Sequence, residues 1–321
     1  LLFDRDRSAV LAGLERAGIW YMPLKGVILK DLYPRFGMRE MCDNDILYDA
    51  DRMADVRKIM TNLGFETESY HKGMHDVYRK PPVSQFEMHR MLMDYTEGTD
   101  ICAYYENVKD RLLKDTEHSY GYHFSKEDFY LFLTAHAYKH FSGSGTGLRS
   151  LLDIYVYLKK QQLDMNFIAH EAAAMGISGF EKNSRELAMH LFHAEKMGTE
   201  QAAEANMLPE TKQPPYVQRL TDIENLQNAD QHKILNQILF DGTYGFLDAG
   251  IQRKISYKGK LRYFVSRLTL PREIMLNDFP ILKKAPVLYP LFWVIRLLRG
   301  VSFRRKKAFL EISSLLKGQD Q

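Results

Sequence analysis

The stretch PLKGVILKDLYPRFGMREMCDNDILY, residues 23–48, is where the fold is decided. Residues 19–24 are short, apolar and aromatic or β-branched at their start, which predicts a strand. Lys25-Gly26 breaks that strand, and a helix is predicted over 27–33 before Pro34 stops it. Residues 43–48 alternate and carry Ile46, Leu47 and Tyr48, which predicts a second strand. Side chains alternate faces along a strand, so Asp43 and Asp45 share one face while Asn44 points to the other.

Working outward, Val10, Leu11 and Leu14 recur at helical spacing over 8–16, and Gly18 terminates that helix. After the second strand a helix is predicted over 51–63, closed by Gly64, then strands over 65–69, 74–79 and 83–92, with Lys80-Pro81-Pro82 as the turn into the last. Beyond about residue 100 the pattern becomes helical. A start at Ser125-Lys126-Glu127-Asp128 leads into an apolar-periodic run to His140, and further helices are predicted over 148–161, 166–175, 179–197 and 223–239. The expected class is α+β, with a mixed sheet and flanking helices over residues 1–110 and a mostly α-helical region over 111–321.

The totals are those of an ordinary globular chain: 321 residues, 45% hydrophobic and 26% charged. A net charge of +3 gives no reason to expect a dedicated nucleic-acid binder. Cys42 and Cys102 lack any CxxC or Cys/His metal spacing, so neither a disulfide framework nor a zinc site is expected from them, and a reducing cytosol fits. The first residues read as an amphipathic helix rather than a signal peptide, so a cytoplasmic location is expected. The most apolar run, VLYPLFWVIRLL at 287–298, is interrupted by Pro290 and Arg296 and is too short to span a bilayer; a buried helix is expected there.

Chemistry concentrates on the acids. Two carboxylates on one strand face repel unless a cation sits between them, and Mg2+, which takes one or two carboxylates together with substrate phosphates, suits the pair. Glu87 stands on a later strand where Gln85, Glu87 and His89 share a face while Phe86, Met88 and Leu92 turn to the core. Three acids from two strands can hold two Mg2+ or Mn2+ ions around a triphosphate. Lys25 and Gly26, between a strand and a helix, suit phosphate: the lysine by charge, the glycine by close backbone approach, and the helix N-terminus by its dipole.

The segments PLKGVILKDLYPRFGMREMCDNDIL (23–47) and FEMHRML (86–92) together resemble the family of uncharacterised nucleotidyltransferases within the DNA polymerase beta-like superfamily. AHAYKHFSGSGTGLRSLLDIYVYL (135–158) resembles that family's helical segment, and the arginine- and proline-bearing stretch 267–290 is similar too. The resemblance implies a nucleotidyltransferase catalytic domain over 1–110 and a helical domain over 111–321 that closes the cleft. It further implies that Asp43, Asp45 and Glu87 are the catalytic metal ligands. The chain departs from the superfamily's commoner Gly-Ser pair in carrying Lys25-Gly26, with a longer gap before the acids.

Other candidates are weaker. Arg39 reaches phosphate, or is solvated or paired with Glu40, and His89 orients a metal-bound carboxylate or the acceptor, or is structural. His136 and His140 are one turn apart, but Ala137 stands where an HExxH zinc motif needs glutamate. With Arg149 and Asp153 they form a polar patch between helices or line the substrate cleft. The loop 142–147 lacks a P-loop ending. Arg304-Arg305-Lys306-Lys307 is a solvated helix face or a contact for an anionic membrane surface.

The expected activity is metal-dependent transfer of a nucleoside monophosphate from an NTP to a hydroxyl of an acceptor, with release of pyrophosphate. The acceptor is left open among a small molecule, a sugar, a protein and an RNA end. The alternative is a catalytically inactive nucleotide-binding or interaction protein of a cell-surface polysaccharide or peptide-modification system.

Overall fold

The computed structural model describes residues 2–94, 99–143, 145–192, 228–241, 275–276 and 279–303. The chain divides into two compact units, Leu1–Ala137 with Arg149–His232, and Tyr138–Leu148 with Lys233–Gln321.

The first unit opens with α1 (Leu2–Arg16), β1 (Tyr21–Pro23), α2 (Gly26–Lys30) and β2 (Asn44–Tyr48). A short 3-10 turn leads into α3 (Met53–Asn62), then come β3 (Glu66–Ser69), β4 (His75–Lys80) and β5 (Ser84–His89). These strands form one five-stranded mixed sheet in the order β1-β2-β5-β4-β3. The β2–β5 pair is parallel, and the β1–β2, β5–β4 and β4–β3 pairs are antiparallel. Parallel pairing needs a long crossover, and α3 with the β3–β4 hairpin supplies it.

Helices α1 and α3 cover one face of the sheet. Val10 and Leu14 from α1, Val56 and Met60 from α3, and Tyr21, Ile46, Tyr48, Tyr78, Phe86 and Met88 from the strands make a single buried cluster. Both helices end as the sequence predicts. Gly18 and Gly64 take φ of 64° and 81°, the left-handed conformation a helix-ending glycine adopts, and Ile19 N and Phe65 N reach back to Leu14 O and Met60 O at 3.0 Å.

Gly13 allows α1 to approach α3 closely, since a Cβ there would stand 2.7 Å from Ile59 Cγ2. Replacing Gly13 with alanine would gain about 1 kcal/mol in helix propensity. Overpacking against a stiff β-branched neighbour costs about 1–3 kcal/mol and wins. Gly13→Ala should therefore lower stability by about 1 kcal/mol in denaturant unfolding. In an Ile59→Ala background the same change should stabilise; a loss there would mean that Ile59 is not the obstacle.

After the sheet come α4 (Thr99–Tyr105), the short ribbon of β6 (Leu113–Lys114) and β7 (Tyr122–His123), and the helices α5 (Lys126–Ser142), α6 (Leu148–Lys160), α7 (Met165–Ala174) and α8 (Ser178–Phe192). The α+β class with a helical C-terminal region is thus as the sequence indicates. The predicted helix over 179–197 is described as far as residue 192, and that over 223–239 corresponds to α9 (Ala229–Asp241).

Two expectations are corrected. Helix α2 stops at Lys30 rather than running to residue 33, because a residue preceding proline is disfavoured in the helical region and Tyr33 precedes Pro34. In the second unit, the apolar run at 287–298 is not a buried helix. It enters α10 (Tyr289–Phe303), which packs Phe292, Trp293 and Ile295 against Met275, Phe279 and Leu282, yet Val287 and Leu298 are 85% and 65% exposed and Leu291 and Val294 are exposed too. Apolar spacing all round a helix hides which side is covered, and here only one side is. No helix among the described residues is long and apolar enough to cross a membrane. The basic run 304–307 and, within 267–290, residues 267–274 and 277–278 lie outside the described residues.

Candidate active site

Because β1 and β2 are antiparallel neighbours, the turn leaving β1 arrives beside the start of β2, and Leu24 N donates to Asp45 O at 2.9 Å. This turn is where Lys25 sits, with φ 23° and ψ −84°. Such a conformation is costly for a residue with a Cβ and is held only where the surroundings impose it, a habit of functional sites. Gly26 follows in a tight spot: a Cβ there would lie 3.1 Å from Arg39 Nη1 and 3.3 Å from Met41 Cε, so both side-chain ends would have to shift by a few tenths of an ångström.

The strand face comes out as the period-two spacing predicts. Asn44 is fully buried on the side of α1, where its Oδ1 accepts from Arg7 Nη1 at 3.3 Å. Asp45 occupies the other side. In the parallel β2–β5 pair Asp45 stands in register with Glu87, so the two carboxylates leave the same face of adjacent strands. Asp43 immediately precedes β2, and carboxylate oxygens of Asp43, Asp45 and Glu87 all lie within 4.8 Å of one another.

Around this set stand basic side chains. Lys25 Nζ is 3.4 Å from Asp45 Oδ2 and 2.7 Å from His136 Nε2 on α5. His89 Nε2 lies 3.3 Å from Asp45 Oδ1 and 3.6 Å from Glu87 Oε2, and His75 Nε2, from the neighbouring strand, is 3.4 Å from the same Glu87 oxygen.

The electrostatics follow from this placement. Burial, reinforced by the charges of Asp45 and Glu87, pushes the Asp43 carboxyl up to about 6. Asp45 goes the other way: although burial opposes ionisation, the Lys25 ammonium and the His89 hydrogen bond hold it well below the usual carboxylate range. Glu87 is held low by its hydrogen bond to His89, against burial. His89 loses from burial but gains more from Asp45 and Glu87, so its imidazolium is favoured. Three carboxylates packed this closely, one of them reluctant to ionise, are a donor set that a hard divalent cation fits.

Arg39 does not pair with Glu40. Its Nε and Nη2 donate to Asp153 Oδ1 and Oδ2 at 2.8 and 2.9 Å, a bidentate clamp between the loop before β2 and helix α6, and Tyr33 donates to Asp153 Oδ1 at 2.6 Å. All of these groups are buried or nearly so, while Arg149 is exposed. His140 belongs to the second compact unit.

Sequence reasoning did not single out His75 or Tyr33. For His75 the available signal was the β4–β5 hairpin, whose register pairs it with His89; for Tyr33 there was none.

The solution structure of the antibiotic-resistance factor ANT(2'')-Ia is matched at 12% identity, covering 63% of this chain and 95% of that one, with a TM-score of 0.28, too low to carry an inference. No curated protein matches the chain. The model of the family described as uncharacterised nucleotidyltransferase matches residues 3–193, which include the sheet, Lys25, the three acids, His136 and Asp153. Since that match takes in well over half of the 321 residues, the chain belongs to the uncharacterised nucleotidyltransferase family.

Proposed function

We propose that this protein transfers a nucleoside monophosphate from an NTP to a hydroxyl of an acceptor, releasing pyrophosphate, with Asp43, Asp45 and Glu87 holding two divalent cations, Mg2+ or Mn2+. The observation that carries this is the in-register Asp45–Glu87 pair with Asp43 beside it, fronted by a lysine on a strained turn. Divalent ions there would neutralise the triphosphate and make the attacking hydroxyl more acidic.

The residues divide the work by position. Asp43 and Asp45, two apart, would hold the ions together with Glu87 from the neighbouring strand. Lys25, poised between Asp45 and His136, neutralises phosphate charge once the triphosphate arrives. The Gly26 backbone admits the phosphates closely; α2, five residues long, has little dipole to add, so the grip rests on the lysine and on Arg39 Nη1 beside Gly26. His89 keeps Asp45 ionised and oriented. Residues 1–110 carry the catalytic core, and from the helices that follow in the same unit α5 and α6 contribute His136 and Asp153.

The test is to incubate the protein with each of the four NTPs, with and without Mg2+ or Mn2+, and to measure pyrophosphate and nucleotide-labelled product. Metal-dependent pyrophosphate release that chelation abolishes is expected. Triphosphate binding with neither release nor transfer under any metal would instead make this a nucleotide-binding protein without chemistry.

A further inference from the structure

The acids are not the only metal-ligating set in this cleft. His75, Glu87 and His89 also offer ligand atoms that lie within 4.8 Å of one another, and Glu87 belongs to both sets. Their placement is built into the sheet. His75 on β4 and His89 on β5 are register partners in the antiparallel hairpin, and their ring centroids are 4.8 Å apart. Glu87 precedes His89 by two residues and shares its face. Both Nε2 atoms aim at the same oxygen, His75 at 3.4 Å and His89 at 3.6 Å from Glu87 Oε2.

Those separations are informative. A histidine–carboxylate hydrogen bond with a charged partner closes to about 2.7–2.9 Å. Two ligand atoms each about 2.1 Å from one tetrahedral ion stand about 3.4 Å apart. The gap between imidazoles and carboxylate is therefore also wide enough for a shared ion. Two imidazoles and one carboxylate also form the ligand set of zinc sites that keep a fourth position open.

We propose that His75, Glu87 and His89 form a second, nitrogen-rich metal position that takes a late first-row divalent ion such as Zn2+ or Co2+ in preference to Mg2+, with Glu87 bridging it to the all-carboxylate position of Asp43 and Asp45. Imidazole nitrogen favours the later transition metals, whereas Mg2+ keeps to oxygen. An ion there would exchange the 3.3 Å contact between His89 Nε2 and Asp45 Oδ1 for a bond to nitrogen, leaving Asp45 to the neighbouring position. The inference rests on the proposed activity and deepens it by adding, beside the acids, a position with a different metal preference, and it shares Glu87 and His89 with that account.

Cobalt reads the ligand set directly. The full chain, freed of any affinity tag and stripped with chelator, is titrated with Co2+ and followed by visible absorption. An intense low-coordinate spectrum is expected, saturating with one ion, cleared by Zn2+ and persisting in excess Mg2+. His75→Gln should weaken it by at least about tenfold, a loss that even removal of an outer partner of a metal ligand produces. His75→Cys should restore binding and add a sulfur-to-cobalt charge-transfer band, with far-UV circular dichroism confirming that both variants are folded. A weak six-coordinate spectrum cleared by Mg2+, a His75→Gln titration like that of the native chain, or loss of binding in the folded His75→Cys variant would each overturn the proposal. A normal cobalt spectrum in a protein that never releases pyrophosphate would remove the proposed activity and leave this site standing; Mg2+-dependent release with no cobalt signature would do the reverse.

Discussion

Replacing Asp45 with asparagine should abolish metal-dependent turnover, by about a thousandfold or more, while leaving the fold nearly as stable as before. The substitution keeps the shape and one acceptor oxygen but removes the charge at the centre of the cluster, where Lys25 stands 3.4 Å and His89 3.3 Å away. Turnover at that level corresponds to about 4 kcal/mol of lost transition-state stabilisation, within the range for a preorganised charge in an enclosed site. Stability changes little because two effects oppose each other. The ion pair to Lys25 is lost, but so is the repulsion that helps hold Asp43 up at about 6. The variant's Asp43 should accordingly titrate lower, which carbon-detected NMR of the carboxyl groups reads. Turnover within tenfold of the native chain would remove Asp45 from the chemistry altogether.

The second large effect is expected far from the acids in sequence. Asp153→Ala should destabilise the first unit by about 3 kcal/mol and raise KM for the triphosphate. The aspartate accepts from both arms of a buried guanidinium and from Tyr33, and removing it leaves an uncompensated buried charge, a loss of about 3–5 kcal/mol in such pairs. Arg39 would then be released from the position that sets its Nη1 against Gly26. The double change Arg39→Met with Asp153→Ala should recover much of the stability, since replacing both partners of a buried pair is often neutral. It should not recover the KM, because the arginine is gone. Equal stability losses in the single and double variants would mean that the aspartate matters for packing rather than for the clamp.

How much of this could be read in the sequence depended on the range of the interaction. The Asp43-Asn44-Asp45 face, the glycine-terminated helices and the split of Glu87 and His89 from Phe86 and Met88 all follow from the side-chain period within one element, and each is found in the structure. The pairing of Asp45 with Glu87 needed two strands to be neighbours, and the family resemblance supplied what periodicity could not. Contacts across more than a hundred residues were out of reach: Arg39 to Asp153 and Lys25 to His136 depend on how α5 and α6 are set beside the sheet, which no local pattern encodes. His75 escaped for a related reason. A single histidine at the start of a strand carries no signal until the hairpin register puts it opposite His89. The exposed side of α10 was misjudged because composition measures how apolar a helix is, not which of its sides is covered.

The claim on which the account stands is that three acids from two strands jointly hold divalent ions against a triphosphate. It is tested most directly by a crystal structure of the chain with Mn2+ and a triphosphate whose α,β-bridge cannot be cleaved, with manganese located by its anomalous signal. Manganese should lie between the carboxylates of Asp43, Asp45 and Glu87, with the triphosphate oxygens on the same ions and Lys25 Nζ turned to the phosphates. Manganese elsewhere, or a triphosphate bound without contact to the aspartates, would contradict it.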